Sequence, residues 1–177
     1  MASSEKDLQS MLNKLAEWCK KWRVLINYSK SKCMHFRPQR HRITEFQFTI
    51  GQTPLEMVNT YKYLGVIFDE HLKYSAHCDA ISKGAGRALG GIISKFYNMK
   101  EFGFKSYEKL YYNCVVPILN YGASTWGFKS FKCIDNIHNR SMRYYLGVHR
   151  SAPVTALFED TDWFPSIFRQ WLSIIRF

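Results

Sequence analysis

Four things are scarce in this chain of 177 residues: long apolar runs, paired cysteines, clustered carboxylates and, over one long stretch, acids of any kind. No apolar run comes near the roughly 20 residues that a bilayer-spanning helix requires. The opening "MASSEKDLQS" carries two acids and no apolar centre, unlike a secretory leader. No membrane partner is expected, and the expected location is intracellular, nucleus or cytoplasm. The five cysteines (Cys19, Cys33, Cys78, Cys114, Cys133) are odd in number, widely spread and without a C-x-x-C pair. Free thiols in a reducing compartment are the expectation, and not a disulfide framework.

The scattered acids exclude more. Metal-dependent nucleotidyl transfer needs carboxylates that hold two cations about 3.5–4 Å apart. The only adjacent acid pairs are Asp69–Glu70 and Glu159–Asp160. Neighbouring strand residues point to opposite faces, so Asp69–Glu70 reads as a solvated strand end and not a clamp. Cys133 and His138 have a C-x4-H spacing, and His77 adjoins Cys78, but neither has the second half of a structural zinc site. No metal site is expected. There is no G-x-S-x-G and no Cys–His nucleophile pattern, so no catalytic residue is assigned.

Between Trp18 and Thr44 stand eight Lys or Arg and no acid, and from Ala80 to Arg150 eleven against three acids. The net charge is +11, and aromatics make up 16% of the chain. Basic clusters interleaved with aromatics attract a polyanion by counterion release. Nucleic acid is the expected partner, against the plainer alternative of a soluble basic surface.

The pattern along the chain predicts an α+β fold: an N-terminal helix, a small antiparallel β-sheet, then a helical bundle. Leu8, Met11, Leu12, Leu15, Trp18, Cys19 and Trp22 recur at helical spacing over 4–22. Ser4 can cap that helix, with Asp7 three residues on. "VLINYSKSKCMHF", "EFQFTIG" and "YKYLGVIFD" carry strand signals, with a basic loop from Arg37 to Thr44 between the first two. After Tyr74 the period changes to helical: Cys78, Ile81, Ala85, Ala88 or Leu89, Ile92 and Phe96 share a face. Further helices are predicted over about Ser106–Val116, ahead of Pro117, over about Phe131–Tyr145, from Pro153 to about Glu159, and from Pro165 onward. "GAGRALGG" is not a G-x-G-x-x-G and follows no strand, so it reads as close helix packing or sequence drift, not a phosphate cradle. Tyr107, Tyr111, Tyr112, Tyr121 and Trp126 read mainly as core, with base stacking as a minority role.

Several landmarks stand in an order that resembles a known family. "INYSKSKCMHF" is similar to the N-x-x-K-[TS]-x-x-M segment of non-LTR (LINE-type) retrotransposon reverse transcriptases, with Asn27, Lys30, Ser31 and Met34 matching. "YKYLGVIFD" resembles their primer-grip hairpin. "LYYNCVVPILNYGASTWG" resembles the thumb signature built around a proline and a Tyr-Gly pair, here Pro117, Tyr121 and Gly122. "RYYLGVHRSAPVTAL" resembles the R-x-x-L-G-V segment that follows. Ser4, Asp7, Leu8, Gln9, Leu12, Leu15, Trp18, Cys19 and Trp22 match the helix that follows the family's Asp-Asp strand–turn–strand.

The resemblance covers nearly the whole chain and implies a division into 1–72, the C-terminal part of a palm with a grip-like hairpin, and 73–177, a helical thumb-like region. It implies that the two metal-binding aspartates, the rest of the palm and the fingers precede Met1, and that the family chain continues past the last helix. It implies a template–primer duplex of RNA and DNA as partner. It implies Mg2+ for the complete polymerase and no cofactor bound by this part. Lys30, Lys32, Tyr63, Leu64, Gly65, Arg87 and Lys95 are the implied nucleic-acid contacts. Lys30 is the one nearest the incoming nucleotide's phosphates, as an accessory group. This part is not expected to polymerise alone. The alternative expectation is a co-opted protein-interaction module or an inert retroelement fragment. Two departures stand out: glycine enrichment at Gly84 and Gly90–Gly91, and Thr161–Asp162–Trp163 where a Gly-Trp turn is common.

Overall fold

A computed structural model describes residues 2–97 and 103–176. The fold is α+β, and the chain forms two compact units, Met1–Lys73 and Tyr74–Phe177.

The first unit opens with helix α1, Glu5–Trp22. The Ser4 hydroxyl accepts the Asp7 backbone N–H at 3.2 Å and donates to the Asp7 carboxylate at 2.6 Å, so the predicted cap forms. Arg23 ends the helix in the left-handed region, φ 53°, with Val24 N–H donating to Cys19 C=O. That is a Schellman closure with arginine where glycine is usual.

The strands are short and form three two-stranded ladders instead of one sheet. β1 (Lys32–Cys33) runs parallel to β4 (Glu56–Met57), while β2 (Thr49–Ile50) and β3 (Thr53–Pro54) form a hairpin closed at Gly51, φ 62°. β5 (Thr60–Tyr63) and β6 (Val66–Asp69) form the second hairpin, with Tyr63 opposite Val66. Phe48 and Ile50 are buried while Phe46 is exposed, so the alternation in "EFQFTI" is only partly used. They pack with Cys33 and Leu55 against Leu8, Leu12, Ala16 and Ile26, which seats α1 on the ladders. At roughly 1.5–3 kcal/mol per fully buried large apolar side chain, this small core supplies the main driving force of the unit.

The second unit is all helical among the described residues. Its long helix α2, Ser75–Tyr97, buries Cys78, Ile81, Ala85, Leu89 and Ile92, the predicted face, with Leu89 and not Ala88 facing inward. Helix α3, Phe104–Leu110, does not stop ahead of Pro117. It passes through one wide turn, Tyr111–Val115, into α4, Val116–Leu119. The Val116 N–H reaches back five residues to Tyr111 C=O, a π-type bond. A proline lacks the N–H and clashes with the carbonyl four residues back, and a widened turn accommodates that without ending the helix. The short α5 (Ala123–Trp126) follows Gly122, and α6 (Lys132–Leu146) stops at Gly147, φ 67°. α7 (Val154–Thr161) and α8 (Ser166–Ile175) start just after Pro153 and Pro165. Asp162 ends α7 in the left-handed region at φ 56°, which is where a Gly-Trp turn would place its glycine.

Candidate nucleic-acid interface

"YKYLGVIFD" does not run as one strand. Leu64 and Gly65, at φ 45° and 85°, form a two-residue turn of the kind in which both central residues sit at positive φ. The apolar run, interrupted only by Gly65, hides the part Leu64 plays in the turn, because leucine is a poor residue for that conformation. Leu64 is therefore strained, and it is also 75% exposed at the tip, beside Tyr63 at 60%.

Tyr61 and Tyr63 share one face of the hairpin, two residues apart. With Phe68, Val58, Met34, Phe36 and Lys32 they line a groove of about 330 Å3. The N-x-x-K segment forms a tight turn and not the predicted strand start. Asn27 Oδ1 accepts the Lys30 N–H at 3.2 Å and the Ser29 hydroxyl at 2.7 Å, and the Ser31 hydroxyl donates to Asn27 C=O. The Tyr61 hydroxyl donates to the Lys30 carbonyl at 2.7 Å. Thus the N-x-x-K-S-x-x-M segment and the hairpin, some thirty positions apart in sequence, meet at one groove through Lys32, Met34 and the Tyr61 bond to the Lys30 carbonyl, and the Lys30 side chain is exposed.

Not every predicted contact is equally free. Lys32 pairs with Glu56 across the parallel ladder, so it would have to exchange that partner for a phosphate. Arg87 and Lys95 lie on α2 in the second unit, exposed and in no ion pair among the described residues. Of the tyrosine set, Tyr107, Tyr111 and Trp126 are fully buried, whereas Tyr121 is half exposed. Burial holds the Tyr107 hydroxyl up to about 12, and pushes Tyr111 up as well.

The bonds of Asp69 and Glu70 give both residues structural work. Asp69 caps the end of β6: Oδ1 accepts the His71 N–H and Oδ2 the Lys73 N–H, both at 2.9 Å. Glu70 pairs with Arg37 at 2.9 Å in a mostly buried contact. Among the described residues no three His, Cys, Asp or Glu gather closely enough to hold a metal ion. The donor set implied for two magnesium ions does not fit the described residues. His138 is committed elsewhere: its Nε2–H donates to Phe164 C=O at 3.1 Å, so Nδ1 accepts the Tyr111 hydroxyl at 2.7 Å. The "GAGRALGG" backbone lies in the interior of α2, where its N–H groups serve the helix. Gly84 and Gly86 allow close packing, since a Cβ there would lie 3.4 Å from Ile118 and Ile137 respectively, while Cβ atoms at Gly90 and Gly91 would meet none of the described residues within 4 Å.

Sequence reasoning missed the anchoring of the basic loop. Arg37 N–H donates to Glu70 C=O, its guanidinium reaches both Glu70 and the His41 carbonyl, and Arg37 C=O lies 2.8 Å from His71 Nδ1. The 33-residue separation of Arg37 and Glu70 leaves no local signal.

Comparison with known proteins points to polymerases. The chain is 25% identical over 139 residues to a probable RNA-directed DNA polymerase from transposon BS of Drosophila melanogaster, an alignment covering 77% of this chain. It is 25% identical over 171 residues to a probable RNA-directed DNA polymerase from transposon X-element of the same fly, covering 88%. The chain is reverse-transcriptase-like. The resemblance is to non-LTR retrotransposon enzymes. This reverse-transcriptase-like chain spans 15% and 18% of the length of those two relatives. No family model matches it, and no solved structure does.

Proposed function

We propose that this chain holds a template–primer duplex for an RNA-directed DNA polymerase of a non-LTR retrotransposon. The observation that carries the reading is the strained, exposed Leu64–Gly65 tip of the hairpin whose Tyr61 and Tyr63 line a groove with Lys32 and whose Tyr61 ties it to the Lys30 turn. Residues 1–72 then correspond to the end of a palm with its primer grip, and 73–177 to a thumb. The grip acts by shape and charge. Backbone at Gly65 approaches the primer strand closely, Tyr63 and Leu64 brace sugars or bases, and Lys30 neutralises phosphate. Arg87 and Lys95 supply phosphate contacts from the thumb. The carboxylates that hold magnesium for nucleotidyl transfer are assigned to other parts of a longer protein, so this chain binds without polymerising. The two transposon polymerases support this reading.

The test is anisotropy of a labelled RNA–DNA hybrid with a recessed primer end, titrated with the chain across salt. Binding should weaken linearly on a log–log plot, with a slope of about −4 for four to five neutralised phosphates. Scrambling the duplex sequence should change affinity little. Lys30→Ala combined with Tyr63→Ala should weaken binding at every salt concentration. Salt-independent binding, or none, overturns the reading.

One observation favours a second reading, an interaction module. Met11, Leu15, Trp18 and Trp22 form an exposed apolar face on α1, and Phe168, Trp171, Leu172 and Ile175 one on α8. Exposed apolar faces of this kind often meet protein. A chain that associates through these faces and ignores duplex would be this second kind.

A further inference from the structure

The loop between Arg37 and Thr44 is basic, exposed and held. Arg40, His41 and Arg42 are all exposed, and neither arginine forms an ion pair among the described residues. A solvated charge run needs no such anchoring, yet this loop is tied at both ends. At its start Arg37 bonds Glu70 through backbone and guanidinium, and at 2.6 Å the same guanidinium holds the His41 carbonyl. At its end the Thr44 N–H donates to His35 Nδ1 at 3.2 Å, and the Thr44 hydroxyl bonds Glu5 of α1. His41 N–H closes the turn on Pro38 C=O at 3.0 Å. One arginine is thus committed to folding so that two others are presented on a fixed frame.

The frame has a definite place. Glu70 follows the last residue of β6, so the loop springs from the base of the β5–β6 hairpin, the end opposite Leu64–Gly65. Three residue steps along β5 separate base from tip, about 10 Å at 3.3–3.4 Å per residue. That separation is enough for base and tip to meet different phosphates of one strand.

We infer that Arg40 and Arg42 form a second phosphate-backbone contact, at the base of the hairpin whose tip is the proposed grip. This rests on the duplex-holding reading and adds a site to it. Two cations on a loop ordered before binding neutralise phosphate at little entropic cost, so they contribute affinity and fix the strand's angle without reading bases.

The experiment is the salt titration repeated on Arg40→Gln/Arg42→Gln, with Lys6→Gln/Lys14→Gln on α1 as a pair matched in charge. All four side chains are exposed, and thermal melting checks that both double variants stay folded. The log–log slope of the loop variant should become shallower by about 2, roughly one unit for each phosphate that is no longer neutralised. The α1 pair should leave the slope nearly unchanged, and Arg40→Lys/Arg42→Lys should restore it. An unchanged slope in the loop variant, or equal weakening in both Gln pairs, overturns the inference while leaving duplex binding intact. If the unaltered chain binds no duplex, the underlying reading fails and this site falls with it.

Discussion

His138 shows how much a single buried polar residue commits. It is 3% exposed, both ring nitrogens are satisfied, and Tyr111 and Trp163 pack around it. Burial lowers its pKa to about 4, because a charged ring there would lose its hydration and Nδ1 already accepts a proton donor. An unfolded histidine titrates near 6.5, so the unfolded state takes up the proton first as pH falls. The stabilisation is fully present above about 6.5 and is lost as pH drops toward 4, by roughly 3 kcal/mol in total. Urea unfolding of the full chain between pH 7.5 and 4.5 should show the midpoint falling, and His138→Gln should flatten that fall from an already lower midpoint. A wild-type midpoint insensitive to pH over this window would contradict the buried neutral ring. No spacing rule pointed to this role. The C-x4-H reading rested on sequence neighbours, whereas the real partners, Tyr111 and Phe164, lie 27 and 26 residues away.

Among the elements, the glycines separate by what their missing Cβ would meet. In α2, Gly84 and Gly86 sit against Ile118 and Ile137, but Gly90 and Gly91 have nothing within 4 Å among the described residues. Helix propensity alone then decides at the last two, and Gly90→Ala and Gly91→Ala should each stabilise by about 1 kcal/mol. Gly127 is the opposite case, where a Cβ would lie 2.6 Å from Ala123 C=O and 2.9 Å from the Gln170 Cβ. Gly127→Ala should cost about 1–3 kcal/mol through overpacking. Thermal melts of the three single variants check the order; a Gly90 or Gly91 variant that melts lower would mean those positions are covered. Of the two readings of "GAGRALGG", close packing accounts for Gly84 and Gly86 only. α1 and α2 were legible because a 3.6-residue period is written within one segment. The hairpin was implied by the resemblance and marked locally by Gly65 alone; that Leu64 also takes a positive φ was not legible, since leucine is not a usual turn residue and the pairing of β5 with β6 supplies the reason it is there.

At the scale of the molecule, charge is spread over both units. The first carries twelve Lys and Arg against seven acids, the second thirteen against seven. Apolar exposure is spread likewise, on α1 and on α8. These two surface properties are separable. Sedimentation velocity over a concentration series should show self-association that Leu15→Glu/Trp22→Glu reduces, while the salt slope of duplex binding stays the same. If the same double variant abolishes duplex binding without unfolding the chain, the α1 face belongs to the nucleic-acid surface and the two properties are one.

The sequence by itself determined most of the helices, the Ser4 cap and the Gly147 stop, the basic excess, and the resemblance to transposon polymerases, because each is carried by residues close together or by motifs kept in order. It also placed a candidate grip on "YKYLGVIFD". Only the tertiary structure decided that Leu64 takes a positive φ in the turn, that Tyr61 ties the hairpin to the Lys30 turn, that Lys32 is paired with Glu56, and that Asp69 and Glu70 serve as cap and anchor. Apart from the Asp69 cap, those are contacts between residues 24 to 33 positions apart, or choices between two backbone states of one residue. Pairing energy gained across the fold settles them, and no local pattern records it.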